Sequence, residues 1–160
     1  MENKLFEDEE ITEDDLYFMC YMIERVSRAT HQRNCYTVNK IGYDSLVRLI
    51  SSASILHCEN PLKIEAEWIE EFGLEKGEFD VTNVDPHLVT EIPTATAIGK
   101  MYKRLIVQTL TEGEDYIQGL IRVYNSPITE VLDDYEAAGY YAPSYIIKRA
   151  YEAGTFNAVG

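Results

Sequence analysis

NPLKIEAEWIEEFG, residues Asn60 to Gly73, can be read at two periods, and the choice between them decides the fold class. Lys63 to Trp68 alternate polar and apolar, as a half-buried strand does. Asn60, however, is a good helix N-cap, Pro61 suits the first helical position, and Gly73 supplies a stop. Leu62, Ala66, Ile69 and Phe72 recur at three-to-four spacing between them, and the alanine and glutamate content favours a helix. A helix is therefore expected here, with those four side chains on its buried face. The strongest strand signal in the chain disappears with that choice.

The flanking segments extend the helical pattern. On the N-terminal side, Thr12 followed by Glu13, Asp14 and Asp15 is a capping residue with first-turn carboxylates, and Leu16, Cys20, Ile23, Val26 and Thr30 form one stripe. This predicts a helix over 13–31. Val38, Ile41, Leu46, Leu49, Ile50, Ala53 and Leu56 continue the period to about His57, with Gly42 as a break and Asp44 as a new cap. On the C-terminal side, residues 74–93 mix Gly, Pro, Asn and Asp without a helical period, which marks a long irregular loop with room for one strand pair. Helical periodicity returns at Ile98 to Ile106 and, behind the box Thr111 to Glu114, at Ile117 to Tyr124.

Pro127 and Pro143 each open the words "Pro, seven residues, Tyr-Glu-Ala". Proline at the start, an apolar face and glycine at the end predict two short helices, 127–137 and 143–153, with Tyr135 and Tyr151 two turns down on comparable faces. Two copies of sixteen residues fall below what a solenoid needs, so the repetition reads as shared helix grammar. Asp133 and Asp134 in the first copy could pair with Lys148 and Arg149 in the second. The expected fold is all-α, a single-domain bundle of six to seven helices over 12–160, preceded by a flexible acidic tail at 1–11.

Fourteen basic and twenty-eight acidic side chains leave a formal charge of −14, which opposes nucleic acid and anionic lipid and favours a basic protein partner. The acid is concentrated. Residues 1–15 hold eight acids and one base, residues 61–92 nine and two, whereas 16–60 hold three and five. The opening residues lack the pattern of a signal peptide and no apolar run is long enough to span a bilayer, so a cytoplasmic protein without a membrane partner is expected. Cys20, Cys35 and Cys58 are an odd set without CxxC spacing and read as reduced thiols.

Motifs for chemistry are sparse. Gly99-Lys100 is followed by Met101 instead of Ser or Thr, and neither a GxSxG elbow nor an ExxH pair occurs. His31 with Cys35 and His57 with Cys58 offer soft ligands at spacings that do not converge on a zinc ion, and Glu130, Asp133 and Asp134 read as a solvated helix face before a cation site. No cofactor or metal is assigned. Tyrosine is the outlier: twelve occur, eight from Tyr102 onward. Tyr124, Tyr135 and Tyr151 fall on core faces, whereas Tyr140 and Tyr141, between Gly139 and Pro143, suit an exposed patch.

The first functional expectation is an acidic interaction module, an inhibitor, antitoxin-like neutraliser or adaptor. It would meet a basic protein through Tyr140, Tyr141, Tyr145, Asp133 and Asp134, with self-association left open. A helix-turn-helix over 136–150, with Ser144, Tyr145, Lys148 and Arg149 on the recognition helix, is the alternative. The third is a small helical enzyme using the loop-borne His87.

Overall fold

The computed structural model describes residues 1–158. The described residues form nine α-helices in the order α1 (Glu13–Thr30), α2 (Asn34–Ile41), α3 (Tyr43–Ser51), α4 (Ala53–Leu56), α5 (Pro61–Glu71), α6 (Ala95–Thr109), α7 (Tyr116–Tyr124), α8 (Thr129–Leu132) and α9 (Ser144–Ala153), with 3-10 turns at Gly139–Tyr141 and Phe156–Ala158. The class is all-α, with more and shorter helices than expected, and the loop, which had room for a strand pair, forms none among the described residues. The sole bridge among the described residues joins Glu2 to Glu10.

Helix α1 is the axis of the bundle. Thr12 and Asp15 close a reciprocal capping box at its start, and His31, in the left-handed region at φ 52°, ends it. Leu16, Met19, Cys20, Met22, Ile23 and Val26 are all buried, more than one stripe's worth, because α6 covers one side while α2, α3 and α5 cover others. Gly99 permits the closest approach. A Cβ there would stand 2.9 Å from the Tyr21 backbone nitrogen, so any side chain would force α6 off α1.

The Asn60–Gly73 segment is a helix with Asn60 as its cap, but its buried face differs from the expected one. Ile64 and Trp68 point inward while Leu62 is 64% exposed. Two stripes were available on this sequence. The one carrying tryptophan removes more apolar area from water, and it also sets Glu65 against Arg25 of α1.

Residues 1–11 are not a detached tail. Asn3 is buried and donates from Nδ2 to the Ser51 carbonyl at 2.9 Å, while its Oδ1 accepts from the backbone of Leu5 and Phe6. Ile11 is buried as well. The acids of this stretch face outward from a turn pinned to the end of α3. The long loop is similarly tied down: Gly77 and Phe79 donate backbone N–H bonds to the carbonyls of Thr30 and His31, completing the end of α1, and Arg33 lies over the Phe79 ring at 4.1 Å.

The two repeated stretches fold differently. Pro143 to Gly154 gives α9, whereas the earlier copy keeps only the single turn α8. Asp133 and Tyr135, two positions apart, both reach the same buried cluster; on a continuous helix they would point to nearly opposite sides, so the helix ends at Leu132. The chain then passes Ala138 in the left-handed region, φ 58°. The first helix of a helix-turn-helix over 136–150 is consequently missing. Lys148 pairs with Glu152 of its own helix and Arg149 with the Tyr145 ring, so the expected pairing to Asp133 and Asp134 does not form.

Candidate functional site

A cleft of about 650 Å³ opens between α6, α9, the loop at 88–94 and the segment at 135–142. Its apolar surface comes from Leu88, Ile92, Met101, Leu105, Tyr140 and Ile147, and its charged lining from Glu91 of the 88–94 loop, Glu136 of the 135–142 segment and Arg104 of α6. Of eight large hydrophobic side chains left exposed among the described residues, Leu88, Ile92 and Tyr141 line this one cleft. Tyr141 is 84% exposed and Leu88 67%. Apolar surface gathered in this way, around a concavity with a few charged groups, marks a binding region.

The floor of the cleft rests on a buried polar cluster. Tyr135 donates its hydroxyl proton to Glu24 Oε1 at 2.6 Å and accepts from Arg28 Nη2 at 2.8 Å. The same Nη2 donates to the Pro93 carbonyl at 2.8 Å, and Arg28 and Glu24 are an ion pair at 3.6 Å. Arg28 thereby fastens the 88–94 wall and the 135–142 wall to one side chain of α1. Asn34 Nδ2 donates to Glu24 Oε2 and Asp133 Oδ2, both at 3.4 Å, and Tyr102, stacked on Tyr124, donates to Asp133 Oδ1 at 2.6 Å. Burial and, second, the nearby Glu24 charge push the Asp133 carboxyl up to about 8. Burial likewise holds the Tyr102 and Tyr135 hydroxyls above the ordinary tyrosine range.

The sequence-derived site residues separate into three groups. Tyr140 and Tyr141 both line the cleft, but Tyr140 is half-buried, edge-on to Tyr135 at 5.3 Å, and so is part wall and part surface. Tyr145 and Asp134 are exposed and do not line the cleft, and Asp134 lines a separate recess. Asp133, expected on the partner-facing surface, is 7% exposed and belongs to the buried cluster, because Tyr102 and Asn34 supply the donors its carboxyl needs away from water. It nonetheless lines the same recess as Glu130 and Asp134.

His87 is 92% exposed by side chain and bonds within its own turn, to Asp85. The His57 ring packs on Phe18 at 4.5 Å, and among the described residues no group of three or more His, Cys, Asp or Glu side chains is placed to hold a metal ion. Nor is any helix among them long and apolar enough to cross a membrane.

Sequence reasoning missed Glu24, Arg28, Asn34 and Tyr102. A signal existed: Glu24 falls on the row Leu16, Cys20, Glu24, one turn apart each time, so a carboxylate interrupts a core stripe. No family model, curated protein or solved structure matches this chain.

Proposed function

We propose that this protein is a cytoplasmic interaction module whose cleft receives a segment of a basic protein partner, in the manner of an inhibitor, neutraliser or adaptor. The observation that carries this function is the convergence of Leu88, Ile92 and Tyr141, exposed and apolar, on a cleft bordered by Glu91 and Glu136. A buried apolar anchor surrounded by polar contacts is the usual composition of a protein-binding hot spot, and tyrosine supplies it with little loss of rotational freedom. The occupant chosen by charge is cationic. Glu91 and Glu136 attract Lys or Arg, and a chain of net charge −14 steers basic partners toward it. Arg104 on the α6 side repels a cation there, so the segment has one orientation: its apolar side chain over Met101 and Ile147, its basic residues toward Glu91 and Glu136.

Selection of a random peptide library on the immobilised full chain tests this function. Enriched sequences should carry Lys or Arg next to one large apolar residue and should be lost on a Tyr141→Ser surface. Enrichment of acidic sequences, or enrichment indifferent to Tyr141→Ser, would exclude the proposed mode of binding.

A further inference from the structure

The buried cluster beneath the cleft holds two carboxylates, Glu24 and Asp133, and one guanidinium, Arg28, which pairs with Glu24 and whose Nε has no partner among the described residues. Around the Asp133 carboxyl stand Glu24 and Arg28 of α1, Arg33 and Asn34 at the head of α2, Tyr102 of α6 and Tyr135 from its own segment. Cys20 and Tyr124 lie behind Tyr102 and are neutral; burial raises both, the Cys20 thiol to about 12. Arg28 is paired to Glu24, and Arg33 lies over the Phe79 ring. Asn34 already gives its amide hydrogens to both carboxylates, and its own oxygen has no donor among the described residues. Arg33 lines the same recess as Asp133 and its charge acts on that carboxyl, but no ion pair or hydrogen bond joins the two among the described residues, so a second full negative charge here is only partly compensated, and such a charge is costly when buried.

We propose that Asp133 is a proton-operated latch on the cleft. With the Asp133 carboxyl protonated, Glu24 holds Arg28 and Tyr135, and through them the Pro93 wall and the Tyr135–Tyr140 wall. When the proton leaves, two carboxylates oppose each other across Asn34 and the walls part. A second recess of about 300 Å³, which shares Tyr135 and Glu136 with the cleft and is lined by Asp133 with Arg33, Asp80, Glu130 and Asp134, gives that proton its path to water. The value of about 8 for Asp133 puts the transition within reach of mildly alkaline conditions. The latch rests on the cleft being the binding site, as proposed above, but its mechanical part can be read without any ligand.

Hydrogen exchange of the full chain, followed by mass spectrometry from pH 6 to 9 with exchange times scaled for the intrinsic rate, reads the walls directly. Segments 88–94 and 134–142 should lose protection by at least about tenfold between pH 7 and pH 9 while α5 does not, and Asp133→Asn should abolish that difference. Should Asp133→Asn fail to fold, infrared spectra of the wild-type chain serve instead: a protonated-carboxyl band present at pH 7 and gone by pH 9 is expected. Walls whose protection does not change with pH, or a carboxyl band absent at pH 7, would overturn the latch. Walls that open with pH in a protein that selects no basic peptide would leave the latch standing and remove the docking function; the reverse pattern would remove the latch alone.

Discussion

Replacing Asp133 by Asn should change not simply the stability of this protein but the way stability depends on pH. In the folded chain the Asp133 carboxyl keeps its proton to about pH 8, against an ordinary value of 3.8. Between those limits the folded state holds one proton more than the unfolded state, so unfolding releases a proton and stability falls as pH rises. One proton corresponds to about 1.4 kcal/mol per pH unit, so this site should remove on the order of 2–3 kcal/mol between pH 5 and pH 7. An asparagine at 133 keeps an acceptor for Tyr102 and has no proton to lose. Urea unfolding of both chains, followed through the fluorescence of the buried Trp68, cancels the titrating groups that do not interact with Asp133 when the two stabilities are subtracted. The gap should move by roughly 2–3 kcal/mol in favour of the variant from pH 5 to pH 7. A gap constant to within about 0.5 kcal/mol would mean that Asp133 is ionised throughout and that the electrostatics of the cluster have been misjudged.

Gly99→Ala should destabilise the protein by about 1–3 kcal/mol in the same urea assay, because the added methyl meets Tyr21 backbone at 2.9 Å and cannot be absorbed by a rotamer change. Asn3→Ala should cost about 1–3 kcal/mol, seen as a lower thermal midpoint, since it strips a buried donor from the Ser51 carbonyl and an acceptor from two backbone N–H groups. An unchanged midpoint would restore the flexible tail that the acidic composition suggests. Tyr141→Ser should alter stability by less than about 0.5 kcal/mol, whereas Tyr140→Ser, which removes the ring packed against Tyr135, should cost about 1–2 kcal/mol.

Some helix ends were legible in this sequence, whereas the caps expected at Asp44 and Thr111 fall instead at Gly42 and Asp115, and the helices expected from Pro127 and Pro143 begin at Thr129 and Ser144. Thr12 with Asp15, Asn60 with Pro61, and the α9 stop at Gly154 all sit where their local chemistry places them, because a cap depends only on neighbours in the chain. Faces were less legible. For α5 the sequence offered two apolar stripes, and only the location of α1, with Arg25 facing Glu65, selects the one with Trp68. The first repeated stretch illustrates the remaining limit. Its proline and apolar face promise three turns, but Asp133 and Tyr135 are claimed by Tyr102, Asn34 and Glu24 from three distant segments, and those contacts end the helix after one turn. The cleft was half legible: tyrosines bracketed by Gly139 and Pro143 pointed to Tyr140 and Tyr141, whereas Leu88, Ile92 and Met101 join them only through the path of an aperiodic loop.

Site-specific photo-crosslinking in the native cell tests the central claim most directly. A benzophenone amino acid at position 141, inside the cleft, is compared with the same group at Ile55, which is also exposed but lies outside it. Position 141 should trap one basic protein that position 55 does not, the adduct should map to a segment with Lys or Arg beside a large apolar residue, and Glu91→Lys with Glu136→Lys should reduce it at least about tenfold, as reversal of two facing charges does. Equal labelling from both positions, or a specific adduct whose partner segment is acidic or is nucleic acid, would contradict the account.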